Sequence, residues 1–358
     1  MKKYIFTICV GLFGITNAQI PTGYYDGTDN LTGTALKNKL SEIVTNGHQN
    51  KGYNWTVFSS ADHDKYYEKD NTLLDIYSEN PAGPDPYNYN IPGGQCGNVG
   101  LEGVCYNREH TIPKSTFKPS SGNEQSTPMH NDYHHLLPTD GKVNGLRNNF
   151  PYGEVGNASE TSKNGSKLGT SKMNGYFGTV FEPIDEFKGD IARIYFYFAT
   201  RYQSQITTFN YVMYDGSTDK VFAEPFRSML IKWHQQDPVS QKEIDRNNAI
   251  AAYQGNRNAF VDHPEFIAKI WGSVLAVDDA SFSKNLKIAP NPVKGNVIYV
   301  TGDNLKKFPK AMIYNLVGQN VQTIENPFQN GNSIRLNNLP KGIYILKTGD
   351  LNTKFVVE

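Results

Sequence analysis

Asn107-Arg108-Glu109-His110-Thr111-Ile112-Pro113-Lys114, then Asp132-Tyr133-His134-His135-Leu136-Leu137-Pro138, then Gly141-Lys142-Val143-Asn144-Gly145-Leu146-Arg147-Asn148-Asn149-Phe150 are the three blocks on which the reading of this chain turns. Four of the eight histidines, His110, His130, His134 and His135, fall in this one region. Imidazoles, carboxylates, amides and guanidinium groups at this density fit hydrolysis of an anionic substrate with a divalent metal. A phosphodiester repels an anionic nucleophile, so its hydrolysis needs a base for water, a cation to absorb charge and a proton source for the leaving oxygen. A neutral His, with an ordinary pKa of about 6.5, can serve as that base at neutral pH. Glu and Asn oxygens suit Mg²⁺ or Ca²⁺ better than Zn²⁺.

The wording of the blocks goes further. Glu109-His110, then Asp132-x-His134-x-Leu136-x-Pro138, then Val143-Asn144-Gly145-x-Arg147-x-Asn149-Phe150 resembles the bacterial endonuclease I family. The likeness continues at Ile191-Ala192-Arg193-Ile194-Tyr195-Phe196-Tyr197 and at Gln254-Gly255-Asn256-Arg257-Asn258. It implies an α+β fold: a mixed catalytic domain containing a ββα-metal (His-Me) finger, with non-specific nuclease activity on DNA and RNA as a second substrate.

Carried over by residue, the resemblance makes His110 the general base. It makes Glu109 and Asn144 the ligands of one divalent metal, Mg²⁺ first and Ca²⁺ or Mn²⁺ as alternatives. A water on that metal would protonate the leaving 3′ oxygen, giving 5′-phosphate products. Asp132, His134, His135 and Asn149 are expected in support, with Asp132 orienting an imidazole. His135 stands where family members often have Asn, and a structural pairing with His134 is equally open. Some relatives carry a phosphate-contacting arginine between the first two blocks. From Pro113 to Met129 this chain offers only Lys114 and Lys118, so the contact is either absent or supplied by Arg147, which joins His110 in the expected catalytic set; a lysine could supply charge but not the planar fork. Arg193 and Arg257 read as salt-bridge partners, and Tyr195 to Phe198 as core. Neighbours on a strand face opposite ways, so Glu109 and His110 can share a site only if the strand ends or bulges there. Asn144 is expected near the start of the following helix.

Outward from this region, the N-terminus has Lys2 and Lys3, an apolar run from Ile5 to Ile15, and small residues through Thr16-Asn17-Ala18. This is the pattern of a secretory signal over residues 1–18. No later run reaches the 18 apolar residues of a membrane span. With Cys9 in the signal, Cys96 and Cys105 remain, flanking a Gly-rich loop. In an exported chain they favour a disulfide, which would contribute about 3 kcal/mol at most by chain entropy. A metal site using both would need two further ligands.

Helical spacing at Leu36, Leu40, Ile43 and Val44, at Ile191, Ile194, Tyr195, Phe198 and Tyr202, and at Ala249, Ile250 and Tyr253 gives way after Trp271 to a soft linker. Beyond it, Ile298-Tyr299-Val300, Met312-Ile313-Tyr314 and Ile343-Tyr344-Ile345-Leu346 alternate with turn formers, which predicts a small all-β sandwich. Ala289-Pro290-Asn291-Pro292, Ile313-Tyr314-Asn315-Leu316-Val317-Gly318 and Leu339-Pro340-Lys341-Gly342-Ile343-Tyr344 resemble the C-terminal sorting domain of type IX secretion. That resemblance implies the type IX machinery as partner and a secreted or cell-surface location; an adhesive or carbohydrate-binding sandwich is the alternative. The expected division is 1–18 signal, 19–275 nuclease domain, 276–285 linker and 286–358 sorting domain.

Aromatic residues at 12% and charged residues at 20% exclude a disordered chain. The 35 basic and 35 acidic residues cancel only in total. Residues 19–280 hold 23 basic against 31 acidic side chains, and residues 281–358 hold 10 against 4. Attraction to phosphates must therefore be local, from Lys114, Lys118, Lys142, Arg147 and a bound cation, within a Debye length of about 8–10 Å. Two other classes compete: another metal-dependent phosphoesterase, and a non-enzymatic surface protein with structural Zn²⁺.

Overall fold

A computed structural model describes residues 20–97, 99–117, 127–272, 286–302, 305–315, 319–329, 331–348 and 351–358. The expected signal (1–18), the linker (276–285) and Lys118 lie outside the described residues. The N-terminal region is mixed. Helices α1 (Gly33–Thr45) and α2 (Thr56–Ala61) precede strands β1 (Tyr106–His110) and β2 (Leu136–Asp140) and helix α3 (Gly141–Arg147). An antiparallel sheet follows, in the order β3 (Val155–Thr161), β4 (Lys167–Ser171), β5 (Thr179–Glu182). Then come α4 (Lys188–Arg201), α5 (Gln203–Ile206), α6 (Glu224–Gln236), α7 (Gln241–Gln254), α8 (Ala259–Asp262) and α9 (Glu265–Trp271).

Helix α4 is the axis of this region. It is buried at every position from Ile191 to Arg201 and packs against α1, α6 and α8. With no solvent face over that span the helix is mostly apolar, and its two arginines, Arg193 and Arg201, are buried in ion pairs. Tyr195, Phe196, Tyr197 and Phe198 are core residues, each with no exposed surface. Arg193, buried with them, bonds both oxygens of Glu243 at 2.5 and 2.7 Å, and Arg257 pairs with Asp262 at 2.6 Å.

The unit that carries the three blocks is smaller. β1 and β2 pair antiparallel, with Glu109 opposite Leu137 and His110 opposite Leu136. β2 runs straight into α3 because Asp140 caps the helix, its Oδ1 accepting the Lys142 and Val143 N–H groups at 2.8 and 2.9 Å. Cys96 and Cys105 are joined as a disulfide, Cα atoms 5.7 Å apart. The Cys105 carbonyl accepts the Gly141 N–H at 2.9 Å. A Cβ at Gly141 would stand 3.0 Å from the Gly97 carbonyl oxygen and 3.2 Å from Cys96 Sγ, so any larger residue there would push the loop or the disulfide by a few tenths of an ångström.

The C-terminal region is all-β apart from a short 3₁₀ turn at Leu305–Lys307. One sheet holds β6 (Lys287–Ala289), β7 (Val297–Thr301) and β10 (Ser333–Arg335), in the order β10-β7-β6. The other holds β8 (Lys310–Asn315), β9 (Asn320–Glu325), β11 (Gly342–Thr348) and β12 (Leu351–Val357), in the order β12-β11-β8-β9. Alternation sorts the faces: Ile298 and Val300 of β7 turn inward while Tyr299 is exposed. They share one core with Ile313, Leu346 and Phe355 of the second sheet.

Candidate active site

β1 ends at His110, and the end matters. Arg108 and His110 lie on one face of the strand and Glu109 on the other. Because pairing stops there, all three line one cleft of about 420 Å³, together with Lys114, Asn144, Arg147 and Asn149. Asn144 is the fourth residue of α3 and Arg147 lies three further on, so both look back from one helix face toward the strand end.

His110 is buried, and its Nε2 lies 3.0 Å from the His130 carbonyl and 3.0 Å from the Tyr53 hydroxyl. A carbonyl only accepts, so Nε2 carries the hydrogen and Nδ1 keeps the lone pair. Nδ1 bonds no described residue. Burial, with the nearby His135, pushes the imidazole well below its ordinary value, so it is neutral at pH 7.

Glu109 is 2% exposed. Its Oε1 accepts from the Tyr77 and Tyr152 hydroxyls, each at 3.2 Å, and pairs with Arg147 Nη1 at 2.8 Å. Burial raises the carboxyl, and the Arg147 guanidinium works against that rise. Every contact falls on Oε1, which leaves Oε2 unbonded among the described residues. Asn144 is similarly divided. Its Nδ2 donates to Asn107 Oδ1 at 2.6 Å and to Thr139 Oγ1 at 3.4 Å, leaving Oδ1 unbonded among the described residues. The one cleft is therefore lined by a residue with an unbonded carboxylate oxygen and a residue with an unbonded amide oxygen, donor types that suit a hard divalent cation.

Several sequence expectations are revised. Arg147 is 1% exposed; besides Glu109 it donates to the His110 carbonyl at 2.9 Å and to the Thr111 carbonyl at 2.5 Å. Both terminal nitrogens are bonded to protein oxygens while Nε is buried without a partner, so in this structure Arg147 braces Glu109. Asp132 does not orient an imidazole. Its Oδ1 accepts the His134 backbone N–H at 3.1 Å and Gln254 Nε2 at 2.7 Å, and its Oδ2 accepts Tyr197, Arg201 and Tyr202 at 2.8, 2.5 and 2.9 Å. Burial alone would raise its carboxyl, but the Arg201 guanidinium holds it far below the usual range. His134 and His135 are buried and tied by Nε2 to the Asn256 and Met129 carbonyls at 2.9 and 2.5 Å. His135 packs its ring 5.6 Å from that of His110. Lys114 and Asn149 stand exposed on the cleft rim.

Other residues of the site were not singled out from sequence. Tyr53, Tyr77 and Tyr152 lie far from Glu109-His110 in the chain, and no local pattern announces them. Arg108 had a signal: two positions before His110 on a strand means the same face. Half-buried, it stacks over Tyr53 at 3.5 Å and Trp55 at 4.6 Å and pairs with no described carboxylate.

Several known nucleases are similar to this chain. The chain is 32% identical over 261 residues to an extracellular ribonuclease of Bacillus subtilis (strain 168), covering 69% of this chain and 78% of the relative. It is 30% identical over 134 residues to an endonuclease-1 of Buchnera aphidicola subsp. Acyrthosiphon pisum (strain APS), 37% of this chain and 45% of the relative. It is 26% identical over 168 residues to an extracellular deoxyribonuclease of Aeromonas hydrophila, 43% of this chain and 64% of the relative. The class is thereby fixed as a nuclease. The family model for endonuclease I matches residues 32–265, and the chain belongs to that family. A second family model, the secretion system C-terminal sorting domain, matches residues 287–358, so the protein is secreted or displayed at the surface. No helix among the described residues is long and apolar enough to cross a membrane.

Proposed function

We propose that this chain is a metal-dependent, sequence-non-specific endonuclease that hydrolyses DNA, and RNA as well, leaving 5′-phosphate ends. The observation that carries the reading is the convergence of His110, Glu109 and Asn144 on one cleft at the junction of β1, β2 and α3. We read that strand–strand–helix unit as a ββα-metal finger. Glu109 Oε2 and Asn144 Oδ1 would hold one divalent cation, Mg²⁺ by their hard-oxygen chemistry. When bound, that ion supplies positive charge to the transition state.

The rest is done by side chains. His110 Nδ1 takes the proton of the attacking water as the P–O3′ bond breaks, the leaving 3′ oxygen takes a proton from water to become a hydroxyl, and the His130 carbonyl, accepting from Nε2–H, steadies the imidazolium that results. Arg147, Tyr77 and Tyr152 fix Glu109 through Oε1. Arg108 and Lys114 are the phosphate contacts, with the planar fork of Arg108 held out by its two aromatic neighbours. Groups of this kind bind backbone phosphate and do not read base edges, which supports action without sequence preference. The ribonuclease relative supports RNA as a second substrate, and the deoxyribonuclease relative supports DNA. A structural zinc site finds no such support: among the described residues the one cluster of three possible metal ligands is Asp64, Glu68 and Glu79, which contains no histidine.

The proposed organisation is a signal over 1–18, the nuclease domain over 19–275, a linker over 276–285 and a tail over 286–358 addressed to type IX secretion. The test is digestion of supercoiled plasmid with Mg²⁺, Mn²⁺ or Ca²⁺, followed by end-mapping. The full chain should nick and degrade it, and EDTA should stop the reaction. No cleavage with any of the three ions would end the proposed nuclease mechanism, and 3′-phosphate ends would end its chemistry.

A further inference from the structure

A second group of carboxylates lies apart from the cleft. Asp64, Glu68 and Glu79 bring one oxygen each to within 4.8 Å of one another. Acidic groups cluster on many surfaces without consequence, but this one is built inward. Glu79 is 1% exposed, and neither of its oxygens has a hydrogen-bond partner. Glu68 Oε2 is likewise buried and unbonded. Asp64, 2% exposed, is locked in place: its Oδ1 accepts the Tyr66 and Tyr67 N–H groups and its Oδ2 that of Lys69, all at 2.9 Å. Among the described residues no lysine or arginine forms an ion pair with any of the three. A buried carboxylate with no donor and no counter-charge is among the costliest arrangements a fold can hold.

We infer that Asp64, Glu68 and Glu79 form a second cation site, one that takes Ca²⁺ and serves the structure rather than the reaction. Ca²⁺ accepts oxygen ligands at about 2.3–2.6 Å, so opposite ligands stand about 5 Å apart, and three oxygens within 4.8 Å fit one shell. Mg²⁺, at about 2.0–2.1 Å, would require them to close further and to surrender waters it holds tightly. The only occupant that competes in chemistry is a proton. Without a cation, burial together with Asp85, Glu68, Asp64 and Asp75 pushes the Glu79 carboxyl up to about 9.

The site's position gives the ion something to hold. Between Asp64 and Glu79 run Asp75, whose Oδ2 accepts the Asp140 N–H at 2.8 Å at the start of α3, and Tyr77, which bonds Glu109. An ion joining both ends of that segment secures two supports of the cleft without entering it.

Calorimetric titration of Ca²⁺ into the EDTA-stripped full chain tests the inference, with Asn144→Ala used to weaken the cation site proposed in the cleft. The Asn144→Ala chain should keep one Ca²⁺ site, with a dissociation constant on the order of 10⁻⁴–10⁻³ M as in extracellular modules. Adding Glu79→Gln, or Glu68→Gln at the more accessible position, should weaken that site at least tenfold and abolish the Ca²⁺-dependent rise in melting temperature. Unchanged Ca²⁺ affinity in both double variants would overturn the assignment. So would an Asn144→Ala chain that binds no Ca²⁺ tenfold above that range, which would mean that Glu79 carries a proton. Neither outcome depends on plasmid cleavage, so failure of the Ca²⁺ site and failure of the nuclease mechanism are separately visible.

Discussion

The wall of the cleft and the layer beneath it are made from the same kinds of side chain, yet they differ in what is left over. On the wall, His110 Nδ1, Glu109 Oε2 and Asn144 Oδ1 bond no described residue, and the Arg108 guanidinium only stacks on rings. Beneath it, Asp132 accepts five donors, and both terminal nitrogens of Arg147 are committed, to a carboxylate and two carbonyls, with only its buried Nε left unpartnered. Buried polar groups must be satisfied to be tolerated. A group that keeps spare bonding capacity beside a cleft is therefore available to substrate or ion, while a saturated one acts through its neighbours. The division predicts that substitutions on the wall cost activity and leave stability, and that substitutions beneath cost stability first.

The largest effect should come from the wall. His110→Ala should lower kcat for plasmid cleavage by about 10²–10⁴, the usual contribution of a positioned general base. Its urea midpoint should fall less than that of a variant in the layer beneath, because the ring gives up no ion pair, only a bond to one carbonyl and a contact with a Tyr53 hydroxyl that His130 shares. An active His110→Ala enzyme, or one that is simply unfolded, would erase the distinction.

The layer beneath should respond in the opposite way. Asp132→Ala strands the Arg201 guanidinium, whose side chain is 4% exposed, without a counter-charge. Breaking one half of a buried pair typically costs about 3–5 kcal/mol. Urea denaturation should show a loss of that size, and a loss within experimental scatter would remove Asp132 from the framework.

How much of this was legible in the sequence depends on distance along the chain. Glu109, His110 and Asn144 fall inside short blocks, and the strand end and the helix start could be anticipated from them, whereas Asp140, which caps α3, lies between two of the blocks. The strands of the tail showed through the alternation at Ile298 and Val300, whose inward faces need nothing beyond period two. Tyr77 and Tyr152 could not be read, because their bonds to Glu109 span 32 and 43 residues. Arg147 was visible as a cation but not as a buried one. Burial is a property of the packed helix, and it turned an expected phosphate contact into a brace. Asp132 was expected to hold an imidazole, yet the five donors around it come from three separate stretches of chain.

Acid should separate the two layers more gently. Burial holds His134, His135 and His234 at about 4, so all three are neutral in the folded chain at pH 6. Unfolded, each would charge below about pH 6.5. The unfolded chain therefore binds more protons across this window, and stability falls as pH drops from about 6.5 toward 4. Each imidazole contributes up to about 1.4 kcal/mol per pH unit. His135→Asn retains a donor for the Met129 carbonyl but cannot charge, so its urea midpoint should fall less steeply with acid. A slope equal to that of the unaltered chain would show that His135 does not contribute.

The smallest effect tests the wall residue that the blocks did not single out. The region from 19 to 280 has more acidic than basic side chains, so affinity for nucleic acid has to come from a few local cations. If Arg108 meets a backbone phosphate, Arg108→Ala should raise KM about tenfold with little change in kcat. It should also lower the dependence of log affinity on log salt by about one contact, a slope change near 0.9 for duplex DNA. Arg108→Lys divides the two properties of the side chain. It restores the charge, and with it the salt slope, but a lysine has no planar face to lie along Tyr53 and Trp55 and no fork for two phosphate oxygens. Its KM should therefore remain raised while its salt dependence returns. Recovery of both would mean that charge alone does the work and that the aromatic stack is ordinary packing; recovery of neither would place Arg108 with the saturated layer beneath.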